Sequence, residues 1–457
     1  MSLPRTAKLL LLATLLIHPT IACQILEVLP NPYGDDGREY VKVSCETNCT
    51  LTDSEDEFSF GPGVHYVARN ATAFVDHYGF PPDAEGIRLS NSGEEITLKC
   101  EDGADVFDYS FFTDDGLIYY REGGKWDFRY EDWSSFPPVS DNVSGRIVVT
   151  PTSYVLRGEG IVASYTVTKD NFDGSFEFAV DASPVGGIPA EEMVLAKKYR
   201  FHFLEGSYRN FHYKFAVLGS NVVITTENWK WDNRGIIVEF ESEKVAELLK
   251  EVFEHDLKYE SSPGKVSDVK GSYREGRGRE LEFSGRVEVH VLPDSNPVFG
   301  FIENSTDFLY IAVPYISLEW FDDSSPLLSA ILNASRGGVE VRVMLADYER
   351  NRDAVEFLSS LPGVEAKMVR SPEFDKLHAK YLVTDGKVLI TSANFNKYGL
   401  KLNREIAVVI ESDEVSGFLK DVFEGDWEGR SEISPAISLT LLGIALLAGF
   451  YLLRRLS

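Results

Sequence analysis

The sequence predicts a multidomain protein, with a small immunoglobulin-like β-sandwich, two consecutive copies of an α/β unit and one C-terminal membrane-spanning helix. Three observations indicate this architecture. The chain of 457 residues is too long for one ordinary core. Segments after residue 140 repeat one another. Residues 436–453 form a continuous run of apolar or small side chains.

The composition is that of a folded but strongly acidic chain. Hydrophobic residues make up 44% and aromatic residues 12%, and the formal net charge is −27. Because such a surface repels nucleic acid and anionic lipid at long range, binding through a broadly basic face is excluded. An anionic substrate therefore needs a local basic pocket.

Residues 1–22 have the pattern of a secretory signal peptide. Two basic residues precede an apolar run over residues 9–17, and the small residue Ala22 offers a cleavage point. The run is short for a membrane-spanning helix, although an uncleaved N-terminal anchor remains the competing interpretation.

The apolar run at residues 436–453 predicts a transmembrane helix. At about 1.5 Å per residue it spans roughly 27 Å, close to the thickness of the hydrocarbon layer. Arg454 and Arg455 follow at once, and basic residues stay on the cytoplasmic side. We therefore expect a single-pass cell-membrane protein with its body outside and a short basic tail inside.

Glycosylation acceptor tripeptides agree with export and predict a glycoprotein. They begin at Asn48, Asn70, Asn142, Asn304 and Asn333.

All four cysteines lie in the first quarter of the chain, at Cys23, Cys45, Cys49 and Cys100. In an exported protein an even count predicts two disulfides, with three possible connectivities. A metal site built on Cys45-x-x-x-Cys49 is a competing interpretation, and a lipid-modified N-terminal Cys23 is a third.

Residues 23–112 predict the β-sandwich, because short strand-like runs alternate with turns rich in Gly, Pro, Asn and Asp. The stretch resembles the lamin-tail domain, an immunoglobulin-like module. The resemblance lies in Ile25-Leu-Glu-Val-Leu-Pro-Asn-Pro32, Glu39-Tyr-Val-Lys-Val43, Phe60-Gly-Pro-Gly-Val-His-Tyr-Val-Ala-Arg-Asn70 and Leu89-Ser-Asn-Ser-Gly-Glu-Glu-Ile-Thr-Leu98. It implies a binding or positioning module. Residues 113–140 follow as a polar, aromatic-rich linker.

The rest of the chain repeats itself. An amphipathic helix is predicted at residues 245–256 and again at residues 415–426, where the sequences align. Strand-like segments open both copies. We assign the first repeat to residues 141–260, a linker to residues 261–285 and the second repeat to residues 286–430. Alternating strand and helix patterns in the second repeat indicate an α/β unit.

Each repeat carries the same signature at the same internal spacing. The first copy begins His212-Tyr-Lys214 and ends at Asn228, preceded by Thr226. The second begins His378-Ala-Lys380 and ends at Asn394, preceded by Ser392. The offset is 166 throughout, since 378 − 212 = 166 and 394 − 228 = 166.

This spacing has a chemical reason. In a strand, residues i and i+2 point to the same face, so each His would project with its Lys. Two facing copies would supply two imidazoles, two ammoniums, two amides and two hydroxyls, and Thr226 and Ser392 are the expected substrate-binding hydroxyls. That set suits a phosphodiester: lysines and amides hold the phosphoryl oxygens, one His attacks phosphorus and the other protonates the leaving oxygen. No metal or other cofactor is required.

The pattern resembles the HxK signature of the phospholipase D superfamily, over residues 141–430. The resemblance implies a covalent phosphohistidine intermediate, with His212 as nucleophile and His378 as general acid, or the reverse. Glu405 matches the family's downstream carboxylate and is expected to hold the far nitrogen of an imidazole. Asp385 matches an Asp that is expected to be structural.

The first copy departs from the family pattern at two positions. Gly219 stands where the second copy has Asp385, and Gly235 stands where it has Glu405. Asp232 is a candidate substitute for the missing acid. The alternative function is therefore a non-catalytic surface-binding protein whose duplicated domain has degenerated.

The expected substrate is a phospholipid or a nucleic acid. Tethering beside the bilayer favours lipid, whereas the lamin-tail-like module favours nucleic acid. Because both copies lie in one chain, the site requires no oligomer. Cationic residues near the motifs form either a basic rim or solvated loops, at Arg209, Arg234, Lys401 and Arg404.

Overall fold

The computed structural model describes residues 23–101, 103–110, 113, 116–122, 124–131, 136–267, 278–318 and 325–429. They form two compact units that divide at residue 132. The predicted signal peptide at residues 1–22 and the predicted transmembrane helix at residues 436–453 lie outside the described residues. Within the described ranges, no helix is both long and apolar enough to span a membrane.

The first unit is β-rich, with a six-stranded sheet in the order β10-β9-β1-β2-β5-β6 and a four-stranded sheet in the order β4-β3-β7-β8. Its elements are β1 (Cys23–Leu29), β2 (Tyr40–Cys45), β3 (Cys49–Thr52), β4 (Glu57–Phe60), β5 (Gly63–Ala68), α1 (Ala71–Tyr78), β6 (Ala84–Glu85), β7 (Glu94–Cys100), β8 (Gly103–Tyr109), β9 (Leu117–Glu122) and β10 (Lys125–Tyr130). The resemblance to the lamin-tail domain stays a prediction.

The segment predicted as a linker contributes a hairpin to this unit. Strands β9 and β10 pair with each other, and β9 also pairs with β1. Leu117, Ile118 and Tyr119 are buried, and this apolar surface accounts for the hairpin's place in the sheet.

Three of the four cysteine sulfurs converge in the first unit. Cys100 is in disulfide contact with both Cys49 and Cys23, while Cys45 is buried and free. The arrangement differs from the predicted pair of independent disulfides. Since a sulfur atom forms one disulfide bond, the two contacts of Cys100 are alternatives. The three sulfurs lie within 4.8 Å of one another, but Cys45, on which the competing metal-site interpretation was built, is not among them.

The second unit is organised around one large sheet. The first repeat contributes β11 (Val139–Val149), β12 (Leu156–Ser164), β13 (Phe172–Asp181), β14 (Ile188–Pro189), α2 (Ala190–Leu195), β15 (Arg200–Leu204), β16 (Phe215–Leu218), β17 (Asn221–Thr225), β18 (Ile236–Glu241), α3 (Glu243–Asp256), β19 (Glu260–Ser261) and β20 (Val266–Ser267). The second contributes β21 (Arg279–Leu292), α4 (Val298–Glu303), β22 (Phe308–Val313), α5 (Pro326–Arg336), β23 (Glu340–Ala346), α6 (Arg352–Ser360), β24 (Val364–Val369), β25 (Tyr381–Thr384), β26 (Lys387–Thr391), β27 (Glu405–Glu411) and α7 (Asp413–Glu428).

The sheet has a pseudo-twofold arrangement. Strands β11 and β21 pair antiparallel at its centre, from Val139 opposite Val289 to Val149 opposite Arg279. Outward from this seam the order is β18-β17-β16-β12-β13-β15-β19 on one side and β27-β26-β25-β22-β23-β24 on the other, so the short strand β19 is an addition to the first side. The duplication indicated by the sequence is therefore present as two corresponding half-sheets.

The closing helices α3 and α7 form where the sequence predicts them. The hydroxyls of Ser242 and Ser412 cap them by accepting hydrogen bonds from Val245 N and Val415 N. Their apolar faces are buried, as the helical spacing indicates.

The two repeats differ in their helical layer. The second repeat places α4 and α5 on either side of β22. The first repeat connects the corresponding strands through residues 150–155 and 165–171, which contain no helix. The first repeat is consequently a reduced version of the second around the same central strands.

Candidate active site

Both HxK motifs lie at the junction of the repeats. His212 and His378 occupy extended segments immediately before β16 and β25, rather than within those strands. His212 N donates to Arg404 O at 2.8 Å, and His378 N donates to Arg234 O at 2.9 Å. Each motif is thus held by the backbone of the other repeat, which brings the two histidines to one site.

Each imidazole is oriented by a carboxylate from the opposite repeat. His212 Nδ1 lies 2.8 Å from Glu405 Oε1, and His378 Nδ1 lies 2.9 Å from Glu227 Oε1. Both carboxylate residues are fully buried. Because the Nδ1 atoms are engaged in this way, the Nε2 atoms are the ring nitrogens left for chemistry.

The partner Glu405 was predicted from the sequence, whereas Glu227 was missed. The proposed substitute, Asp232, instead forms an ion pair with Lys230 at 3.0 Å, because the Lys230 ammonium lies beside it. A signal for Glu227 was present: the constant offset of 166 aligns it with Ala393. The acid of the first repeat therefore comes from a different position along the chain.

The two motif lysines are fully buried beside their own histidines. Lys214 Nζ lies 3.3 Å from His212 Nδ1 and donates to His212 O at 2.7 Å. Lys380 Nζ lies 3.2 Å from His378 Nδ1 and donates to His378 O at 2.8 Å. The histidine and the lysine of each motif therefore lie side by side, although neither motif is part of a strand.

Burial shifts the pKa values of these cations downwards. Burial lowers the pKa of His212 to about 4 against the opposing charge of Glu405. It lowers the pKa of Lys214 to about 7 and that of Lys380 to about 8. The pKa of Glu405 is also lowered, since the charges of His212 and Lys214 outweigh its burial. The site therefore combines ionised carboxylates with two lysines, and binding of an anion would stabilise the charged form of those lysines.

The amides and hydroxyls at the ends of β17 and β26 have separate roles. The Oδ1 atoms of Asn228 and Asn394 are buried and have no hydrogen-bond partner among the described residues, so these amides are open to a ligand. Thr226 Oγ1 accepts from Ile236 N, and Ser392 Oγ donates to Glu405. Both hydroxyls are thus hydrogen-bonded to neighbouring protein groups, which differs from their predicted role in binding substrate.

Asp385 lies away from the site. It is exposed at the turn between β25 and β26, where it accepts hydrogen bonds from Thr306 Oγ1 at 3.1 Å and Asp307 N at 3.0 Å. The site is at the other end of β25. Gly219 in the corresponding turn of the first repeat therefore removes no group from the site, and its departure from the family pattern is no evidence of degeneration.

Two of the cations suggested as a basic rim are buried instead. Arg404 Nε lies 2.9 Å from Asp256 Oδ2, and Arg234 Nε lies 2.8 Å from Asp426 Oδ2. Each ion pair joins an arginine of one repeat to the closing helix of the other repeat: Arg404 contacts α3, and Arg234 contacts α7. These arginines fix the two repeats together, because a buried cation is stable only beside a counter-charge.

A family comparison agrees with the second repeat. Residues 298–427 match the family described as cardiolipin synthase, phospholipase D-like domain. The chain therefore contains a phospholipase D-like domain in this range, and the predicted superfamily resemblance is confirmed there. The matched range includes helices α4 and α5, which the first repeat lacks.

Solved structures give weaker similarities. NucT from Helicobacter pylori is 16% identical and aligns over 31% of this chain and 96% of its own, with a TM-score of 0.28. The phospholipase D family member Nuc from Salmonella typhimurium is 19% identical over 31% of this chain and 94% of its own, with a TM-score of 0.27. Phosphatidylserine synthase from Haemophilus influenzae is 12% identical over 65% and 89%, with a TM-score of 0.43. No curated protein matches the chain.

Proposed function

We propose that this protein is a phospholipase D-like phosphodiesterase that acts through a phosphohistidine intermediate. The observation that carries the proposal is the crossed pairing of His212 with Glu405 and of His378 with Glu227. A carboxylate at Nδ1 fixes the tautomer and raises the basicity of Nε2, as a nucleophile or proton carrier requires. Two complete pairs favour an enzyme over a degenerate binding protein.

The reaction has two balanced steps. In the first, His212 Nε2 attacks phosphorus, the bond from phosphorus to the leaving oxygen breaks, and His378 gives that oxygen a proton. In the second, water attacks the phosphohistidine and loses its proton to His378, and the phosphorus–nitrogen bond breaks. The enzyme returns to its starting state after transfer to water.

The lysines and amides supply the electrostatic part of the mechanism. Lys214 and Lys380 place two cationic groups beside the imidazoles, where the phosphoryl oxygens gain charge in the transition state. Asn228 and Asn394 would donate to a phosphoryl oxygen through Nδ2, and their buried Oδ1 atoms have no partner among the described residues.

The experiment measures release of p-nitrophenol from bis-p-nitrophenyl phosphate by the full chain, with EDTA present. His212→Ala and His378→Ala are the test variants, and His65→Ala in the first unit is the matched control. We expect activity in the wild type and control and its loss in both test variants. Detection of phosphohistidine after an alkaline quench, in which the phosphorus–nitrogen bond survives, assigns the roles, since His378→Ala should retain the attacking group. A folded wild type without activity would support a surface-binding protein.

We also propose that the enzyme works outside the cytoplasm, anchored in the cell membrane by residues 436–453. The apolar run followed by Arg454 and Arg455 supports this orientation. Protease added to intact cells should digest the body and spare the tail. Protection of the body in intact cells, with digestion after lysis, would contradict the orientation.

A further inference from the structure

A tyrosine follows β12 in the first repeat and β22 in the second. Tyr165 comes directly after β12, and Tyr315 comes two residues after β22. These strands occupy corresponding positions in the two half-sheets. Both tyrosines are half-buried. Each repeat thus contributes a tyrosine at a corresponding place, and Tyr315 lies next to the segment that follows Asn394, since Ile316 pairs with Phe395.

Tyr165 lies against the proposed nucleophile. Its ring centroid is 4.5 Å from that of His212, and Lys214 Nζ is 5.8 Å from the Tyr165 ring. Its hydroxyl accepts a hydrogen bond from Val185 N, which fixes the ring in place. A substrate phosphate bound to His212 would consequently have the Tyr165 ring beside it.

Tyr315 is held in a cationic and polar setting. The Arg350 guanidinium lies 3.9 Å from the centre of its ring, and Asn396 Nδ2 donates to its hydroxyl at 3.1 Å. Burial raises the pKa of Tyr315, Arg350 opposes this, and Glu405 adds to it, so the ring is within electrostatic reach of the partner of His212. Arg350 also lies 5.2 Å from the ring of Tyr348.

Arg350 offers a cation to a second phosphate group. Its side chain is exposed, and it has no carboxylate within ion-pair distance in the described part of the chain. The neighbouring Glu349 is instead paired with Arg352 at 3.0 Å. A polymer of phosphodiesters could use this charge next to the reacting phosphate, which gives the acidic protein the local basic group that it needs.

A lipid surface would call for a different rim. The large apolar side chains that the described part of the second unit exposes each lie on a separate element, at Val155, Val185, Val194, Val266 and Tyr398. They are single side chains of moderate size, and none is a phenylalanine, leucine, isoleucine or tryptophan. Paired rings and a cation at the site favour stacked bases and a phosphate chain instead.

We propose that the substrate is single-stranded nucleic acid, whose bases on either side of the scissile phosphate stack on Tyr165 and Tyr315. Arg350 binds the next phosphate. This inference rests on the proposed phosphodiesterase function. A base must leave its neighbours to lie on a protein ring, so a duplex is a poor substrate.

The test compares oligonucleotides of one sequence, using the full chain. One is intact and single-stranded, one carries abasic sites on both sides of a single labelled phosphate, and one is a duplex. We expect kcat/KM at the labelled phosphate to be at least about tenfold higher for the intact strand than for the abasic strand, because two stacked bases are lost and one alone contributes about that factor. Tyr315→Leu should lower this ratio by about the factor of one base, while Tyr315→Phe and the control Tyr33→Leu in the first unit should preserve it.

The outcomes separate this inference from the function beneath it. A wild-type ratio near one, or a preference for duplex, overturns the stacking inference while His-dependent cleavage of bis-p-nitrophenyl phosphate still stands. Cleavage of phosphatidylcholine vesicles with no cleavage of oligonucleotides overturns it in favour of lipid. Absence of His-dependent cleavage of every substrate overturns the proposed function itself. The wild-type ratio needs no variant, so misfolding of Tyr315→Leu cannot obscure the result.

Discussion

Glu227 occupies the space that a side chain at Gly235 would fill. A Cβ placed on Gly235 would overlap the Glu227 carboxylate and its neighbouring carbon. In the second repeat the small residue and the acid are exchanged, with Ala393 at the position of Glu227 and Glu405 at the position of Gly235. The acid of the first repeat is therefore at residue 227 instead of residue 235. Glycine at residue 235 leaves the space that the Glu227 side chain needs.

Gly235→Ala should disable the site without unfolding the protein. The added methyl would displace the Glu227 carboxylate from His378, and kcat should fall about 100-fold, the lower end of what general acid catalysis contributes. Steady-state kinetics and circular dichroism measure the two effects. Gly417→Ala is the matched control, because a Cβ there meets open space. Unchanged kcat in folded Gly235→Ala would show that Glu227 tolerates displacement.

The acid should be movable between its two positions. Glu227→Ala alone should lower kcat/KM strongly, because His378 loses its only described carboxylate partner at Nδ1. The double variant Glu227→Ala/Gly235→Glu copies the second repeat and should recover at least about tenfold of the loss, since contacting residues couple. The four variants of this cycle are compared by kcat/KM. Additive losses would mean that residue 235 cannot replace residue 227.

The free enzyme should work best under acidic conditions. The nucleophile His212 has a pKa lowered to about 4, so it is neutral above that pH. His378 must carry a proton, and burial lowers its pKa below 6.5, while Lys214 loses its charge near pH 7. We expect kcat/KM to rise above about pH 4 and to decline towards pH 7, as a profile from pH 3 to 10 would record. An optimum above pH 8 would contradict this assignment.

Breaking the buried ion pair between Arg404 and Asp256 should lower the stability of the second unit. Asp256→Asn removes one of the two carboxylates that pair with Arg404, the other being Asp294 at 3.0 Å, and should lower the free energy of unfolding by about 2 kcal/mol, as loss of hydrogen bonds to a charged group does. Urea denaturation followed by tryptophan fluorescence measures the change. Glu349→Gln is the control, since its pair with Arg352 is exposed and should change stability by less than about 0.5 kcal/mol. Equal changes in the free energy of unfolding for the two variants would exclude a stabilising role for the Arg404–Asp256 ion pair.

The sequence predicted the duplicated core because its signals are local and repeated. The closing helices α3 and α7 follow from apolar spacing and serine caps, and the HxK motifs follow from a constant offset. Burial and extended backbone then bring each His and Lys together. These features depend on neighbours along the chain, so a single sequence contains them.

The crossed contacts between repeats were not predicted, because they join residues far apart in sequence. The alignment of Glu227 with Ala393 looked like a minor departure from the motif, and Gly235 looked like a loss. Only their packing against each other shows that they compensate. Arg234 and Arg404 were likewise suggested as a surface rim, because sequence position alone does not show that Asp426 and Asp256 face them.

The exchange of groups across the β11–β21 seam makes the chain a candidate for fragment complementation. A cut between residues 267 and 278 would leave each fragment with one of the two site histidines and with the carboxylate that pairs with the other fragment's site histidine. Neither fragment would hold a finished His–Glu pair, yet the long antiparallel seam gives them a template for reassembly. Recovery of hydrolytic activity would then show that two separately expressed fragments had associated.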